Sequence, residues 1–171
     1  MKIAEDHGYN FTMMRGVIDV NDEQLERMVA KILNAAGRVD GDLGGITVGA
    51  LGLTFKAGTD DLRESPALAI ISELRRRGAA VRAFDPTTVG ELTPNQTVVL
   101  DGIHVVADAL EVADGADVVV VFTEWPEFAK IDLDRLAARL TRPVTVVDTR
   151  NLLDPVLVRE AGLGYDGVGR R

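Results

Sequence analysis

The sequence contains no cysteine, which removes thiol catalysis, disulfides and cysteine-ligated metal from this chain's own chemistry. Histidine is almost as scarce: His7 and His104 are far apart and lack metal-ligand spacing, so both read as surface or strand residues and no metal site is expected. No stretch approaches the ~18 apolar residues of a membrane span. The opening residues, "MKIAEDHGYNFTMMRG", lack the apolar centre of a signal peptide, so a cytoplasmic protein is expected. Internal repeats and low-complexity tracts are missing as well. Positive charge is in deficit, with 19 Lys and Arg against 27 Asp and Glu and a net charge of −8. Nucleic acid and anionic membranes reward a basic face, so neither is expected as a main partner.

What is present suffices for one ordinary domain with an appendage: 171 residues, 46% of them apolar. Residues 20–36, "VNDEQLERMVAKILNAA", place Leu25, Met28, Val29, Ile32 and Leu33 at helical spacing. Asn21 is the expected N-cap and Gly37 the expected stop. This helix precedes the first strand and must pack on something, either a domain surface or an interface. From Gly45 onward the pattern alternates. "ITVGALGL" reads as a strand covered on both faces. "SPALAIISELRRRG" reads as a helix with Ser65 as N-cap, Pro66 at its first position and Gly78 just past its end. "AVRAF" follows as a strand, and residues 87–102 read as a turn-rich exposed connection. Strand "HVV", helix "DALEVAD", strand "ADVVVVF", a helix over 133–140 and strand "VTVVD" complete the series. The fold class is therefore α/β, an open parallel sheet of Rossmann-like type with helices on both faces and strand order 3-2-1-4-5.

Such sheets bind ligands beyond the carboxyl ends of their strands, near the switch point. Three loops lie there, and all carry unusual residues. The first holds Phe55, Lys56 and Arg63, the second Thr123, Glu124 and Trp125, the third Asp148, Arg150 and Asn151. Two arginines, a lysine and a tryptophan at one rim suit a ligand with phosphate and a flat ring. Each also has a plainer reading. Lys56 can end a strand by snorkelling, Arg63 can staple the loop to Asp60 or Glu64, and Trp125 can fill core behind a turn. Asp60 and Asp61 read as holders of loop geometry more readily than as an acid/base pair. The dinucleotide fingerprint G-x-G-x-x-G is missing around Gly49 and Gly52, and the following loop is too long for a tight phosphate turn. Asp85 ends the second strand, where a ribose-binding acid would sit, but too far beyond Gly52 for the ~20-residue spacing.

"LGLTFKAGTDDLRESPAL", "GAAVRAFDP", "GADVVVVFTEWPEF" and "VVDTRNLLD" occur in that order, and over residues 16–170 the chain resembles the C-terminal, UDP-binding domain of the UDP-glucose 6-dehydrogenases. The first block is shared across nucleotide-sugar dehydrogenases; the later blocks favour the UDP-glucose branch over GDP-mannose. The resemblance implies an oxidoreductase that converts a sugar C6 alcohol to a carboxylate with NAD, making UDP-glucuronate. It also implies an NAD-binding N-terminal domain, a long central helix carrying the dimer contact, and a C-terminal domain holding UDP. On that pattern residues 1–40 are a remnant of the central region and 41–171 the UDP-sugar-binding domain. Phe55, Lys56 and Arg150 resemble the substrate contacts, and Arg63 resembles the arginine that reaches to NAD. The family's nucleophile is a cysteine upstream of the central helix. With no cysteine and no preceding NAD domain, this chain is expected to supply no catalytic residue and to be inactive alone. A GDP-mannose or UDP-N-acetylmannosamine dehydrogenase domain, or a stand-alone nucleotide-binding or assembly module, is the alternative. The apolar residues from Met13 to Leu33 exceed what one small domain is expected to cover, which predicts a homodimer through residues 10–36.

Overall fold

A computed structural model describes residues 12–170. His7, Tyr9 and the first two residues of the 10–36 segment lie outside that range, and Met13 and Met14 are described in their backbone only. Helix α1 (Thr12–Ala35) precedes strand β1 (Thr47–Leu51), helix α2 (Pro66–Arg76) and strand β2 (Ala80–Phe84). Helix α3 (Pro94–Val99), strand β3 (His104–Val105) and strand β4 (Val118–Val121) follow. Helix α4 (Leu133–Arg139), strand β5 (Thr145–Asp148), helix α5 (Pro155–Glu160) and strand β6 (Gly164–Gly167) complete the chain, with short 3-10 helices at Pro86–Thr88, Ala109–Ala113 and Phe128–Lys130. The six strands pair in parallel in the order β3-β2-β1-β4-β5-β6. The expected order holds for the first five strands, and a sixth extends it. None of the described helices is long and apolar enough to cross a membrane.

The valine run of β4 shows why its sequence does not alternate. Val118 and Val120 enter one core, shared with Val48, Ala50, Ile71 and Leu74, while Val119 and Val121 enter another with Phe128, Leu136 and Val146. Strand side chains alternate between faces, so a central strand buried on both faces needs apolar residues at every position. Gly49 of β1 lets the 3-10 helix Ala109–Ala113 come close, since a Cβ there would stand 2.4 Å from the Val112 carbonyl oxygen.

The N-terminal helix docks on its own sheet. Val29, Ile32 and Leu33 are buried in the core they share with α2 and β1, Leu25 and Met28 pack half-buried against it, and Lys31 bridges to Asp166 of β6 at 2.5 Å. Upstream, Val17, Ile18 and Val20 remain exposed. Asn21 is not an N-cap: the helix runs through it from Thr12. A cap contributes only ~1 kcal/mol, and a helix already propagating gains a hydrogen bond for each added residue. The stop at Gly37 is as expected, with φ +72° and the Arg38 N–H donating to the Leu33 carbonyl at 2.8 Å. Ser65 caps α2 as its sequence suggests. Residues 87–102 are not simply a connection. Thr93 and Gln96 form a reciprocal capping box that starts α3, and Gln96 donates to the Thr87 carbonyl at 3.1 Å. His104 lies exposed in β3.

Candidate functional site

The carboxyl ends of β1, β4 and β5 lie side by side because those strands are neighbours around the switch point. Beyond β1 the chain turns at Gly52, whose φ is +94°, and then passes through buried Leu53 and Thr54. It emerges at Phe55, 47% exposed, and at exposed Lys56. The loop from Phe55 to Ser65 closes on itself. Phe55 N–H donates to the Asp61 carbonyl at 2.9 Å, and the Ser65 hydroxyl donates to the Leu53 carbonyl at 2.7 Å. Asp61 accepts from both Nε and Nη2 of Arg63 at 2.9 Å, and from the Arg63 backbone N–H at 3.0 Å. These bonds, the guanidinium's first, hold the Asp61 carboxyl at about 2, well below its ordinary range, and push the Arg63 guanidinium up. Asp61 thus holds loop geometry, and Arg63 staples the loop to it rather than to Asp60 or Glu64. The Arg63 side chain is still 85% exposed, and its remaining edge faces solvent.

The loop after β4 ties to the first. The Thr123 hydroxyl donates to the Thr54 carbonyl at 2.9 Å, and the Trp125 indole N–H donates to Asp85 Oδ2 at 3.1 Å. Trp125 is partly buried and packs against the core that contains Phe84 and Phe128, so it fills core behind a turn. Asp85 itself is fully buried and accepts six hydrogen bonds from Leu53, Thr54, Thr87 and Trp125.

After β5, buried Asp148 accepts the Arg150 N–H at 3.0 Å, the Leu153 N–H at 2.8 Å and the Tyr165 hydroxyl at 3.3 Å. Burial, and then the negative charge of Asp148, push the Tyr165 phenol up to about 12. Arg150 Nε donates to the Phe122 carbonyl at 2.8 Å, and Glu124 Oε2 stands 3.2 Å from the same nitrogen. With the Nε proton directed at the carbonyl, Oε2 keeps a charge contact but no hydrogen bond, although it is buried. Both contacts use Nε, leaving the two terminal nitrogens of the fork unpaired among the described residues. Asn151, at φ +53°, clamps Val168 through its side-chain amide.

A groove of about 580 Å³ runs between α1 and the start of α2, with Phe55 and Glu64 at one end and Gln24, Leu25, Met28, Pro66 and Ile70 along its walls. It shares Gln24, Met28, Pro66 and Ile70 with an adjoining recess of about 180 Å³ that Phe122, Thr149, Arg150 and Val168 also line. Phe55 therefore lines the groove and Arg150 the recess beside it, with four wall residues in common. Arg63 and Asp61 line a depression of about 440 Å³, and Phe55 and Glu64 border both it and the groove. Lys56 stands exposed beside Phe55. The α1 wall was not foreseen: Leu25 and Met28 read only as a packing stripe, and the one available signal was Gln24 lying a helical turn before Met28.

The sheet order is that of dinucleotide-binding domains, but the residues do not fit NAD at this domain's own switch point. The β1–α2 connection is an extended loop with no phosphate-cradling turn, and the ribose-reading position is filled by Asp85, saturated from inside the protein.

Residues 49–155 match the family described as the UDP-glucose/GDP-mannose dehydrogenase family, UDP binding domain. The chain is 37% identical to a UDP-glucose 6-dehydrogenase of Rhizobium meliloti, over 99% of this chain and 37% of that protein. It is 33% identical to the Bacillus subtilis UDP-glucose 6-dehydrogenase TuaD, over 99% of this chain and 35% of that protein. A UDP-glucose dehydrogenase structure from Pyrobaculum islandicum superposes with a TM-score of 0.71 at 30% identity, covering 97% of this chain and 34% of that one. The chain thus spans a little over a third of the length of the curated relatives it matches.

Proposed function

The chain belongs to the UDP-glucose/GDP-mannose dehydrogenase family through its UDP-binding domain, and from that membership we propose that it holds the nucleotide sugar of an NAD-dependent UDP-glucose 6-dehydrogenase that makes UDP-glucuronate. The observation that carries this reading is that Phe55 and Arg150 line two adjoining hollows, with walls in common, at the carboxyl ends of β1 and β5. A diphosphate needs cationic partners, and in a chain of net charge −8 they must be concentrated where it binds. Arg150 offers the free edge of a planar fork, Lys56 a compact charge and Phe55 an apolar face, which suit phosphate oxygens and a nucleoside.

On the same reading, the exposed Arg63 reaches toward NAD held by a separate domain. Residues 1–40 end the central region and 41–171 form the UDP-sugar-binding domain. The exposed Val17, Ile18 and Val20 support a homodimer through residues 10–36. The protein works in the cytoplasm. Having no thiol, the chain contributes binding rather than the covalent step, and shows no UDP-glucose oxidation alone.

Calorimetric titration with UDP, UDP-glucose, GDP-mannose, UDP-N-acetylmannosamine and NAD tests the reading. Binding of UDP and UDP-glucose with no response to NAD is expected. Preference for GDP-mannose or UDP-N-acetylmannosamine would move the substrate within the family, and no nucleotide binding at all would overturn the proposal.

A further inference from the structure

Asp85 occupies the end of β2 and is fully buried, yet its recorded partners among the described residues are all neutral donors. Burying a carboxylate is costly unless its lone pairs are filled, so this one persists because of what it gathers. Oδ2 accepts the Leu53 N–H at 2.7 Å, the Thr54 N–H and hydroxyl at 3.2 Å each, and the Trp125 indole N–H at 3.1 Å. Oδ1 accepts the Thr87 N–H at 3.0 Å and hydroxyl at 2.8 Å. One side chain thus joins the loops that leave β1, β2 and β4, the strands around the switch point. Past Leu51 the chain leaves the strand ladder, and the amides of Leu53 and Thr54 need acceptors that no neighbouring strand supplies. Asp85 provides one for both. With those two amides fixed, the direction in which the chain delivers Phe55 and Lys56 to the rim is fixed too.

We propose that Asp85 is a positioning residue for the nucleotide site, holding the Phe55–Lys56 segment at the rim from inside the protein. The position that reads a ribose in a dinucleotide-binding domain has here been turned inward as a brace. The ligand side of this inference rests on the UDP reading above; the brace itself does not.

Asp85→Asn in the full chain tests it. The variant keeps the shape but removes the charge and turns an N–H2 group toward donors. Amide hydrogen exchange at Leu53 and Thr54 is compared with Val146 in β5, and UDP affinity is measured on protein shown to be folded by circular dichroism. The expected result is faster exchange at Leu53 and Thr54, unchanged exchange at Val146 and a rise in UDP Kd of about tenfold. A uniform loss of protection with unchanged affinity would mean that Asp85 only stabilises the fold, and would overturn the inference; so would no change in either readout. If Asp85→Asn does not fold, Trp125→Phe, which removes one donor and keeps an aromatic ring, decides by the same readouts with a smaller expected change. If the unaltered chain binds no UDP, the nucleotide reading fails, and the selective exchange at Leu53 and Thr54 decides the brace alone.

Discussion

Replacing Gly52 with alanine tests how tightly the β1 loop is locked to the β4 loop. The added Cβ would lie 2.5 Å from Thr123 Cβ, 2.6 Å from Thr123 Oγ1 and 2.8 Å from the Thr123 backbone nitrogen. Two of those atoms are not the free end of a flexible side chain, so relief requires the backbone to move and strains the 2.9 Å bond from Thr123 to the Thr54 carbonyl. The residue also sits at φ +94°, where a side chain costs roughly 1–2 kcal/mol. Overpacking adds roughly 1–3 kcal/mol, for a total of ~2–5 kcal/mol against a typical domain stability of ~5–15 kcal/mol. Gly58 provides the control: its φ is +77°, but nothing lies within 4 Å of its added Cβ, so Gly58→Ala should lose only the backbone part. Urea unfolding followed by circular dichroism and by the fluorescence of the single tryptophan measures both variants. Equal losses for Gly52→Ala and Gly58→Ala would refute the steric argument.

Arg150→Ala and Lys56→Ala should each weaken UDP binding by ~1–3 kcal/mol in calorimetry, and unchanged affinity in both would place the site elsewhere on the fold. Ile32→Ala removes a fully buried side chain joining α1 to the sheet and should cost ~2–5 kcal/mol in urea unfolding; a loss below ~1 kcal/mol would mean the helix does not depend on that contact. Tyr165 keeps its proton to about 12 in the folded chain against an ordinary 10.0, so its contribution to stability is complete below pH 10 and fades as pH rises toward 12. Ultraviolet titration of phenolate should show a late phase that Tyr165→Phe abolishes. Replacing Val17, Ile18 and Val20 together by serine should turn a dimer into a monomer in light scattering without lowering the melting temperature appreciably; a parent chain that is already monomeric would end the dimer proposal.

Local pattern carried the sheet a long way. The apolar runs at residues 46–51 and 118–122, the Ser65-Pro66 start, the Gly78 and Gly37 stops and the alternation of strand with helix were enough for the parallel order through β5. Each depends on side-chain periodicity or on φ preferences within a few residues, and those are properties of the chain itself. β6 escaped notice because "GYDG" has no apolar run; it becomes a strand because β5 offers it an edge to pair with. α3 was hidden by glycine, proline and asparagine, although the Thr93–Gln96 capping box was present in the sequence. The blocks around Phe55, Lys56, Arg63 and Arg150 read in the sequence as candidate chemistry at strand ends. Their arrangement was not legible there: the adjoining hollows at Phe55 and Arg150 depend on α1 docking beside α2, with Met28 in the wall of both. Asp85 and Trp125 mark the limit most clearly. A carboxylate at the end of β2 can face a ligand or the protein, and the choice follows from where its donors lie. Those donors come from the ends of three strands, and only the folded sheet brings them within 3.2 Å of a single side chain.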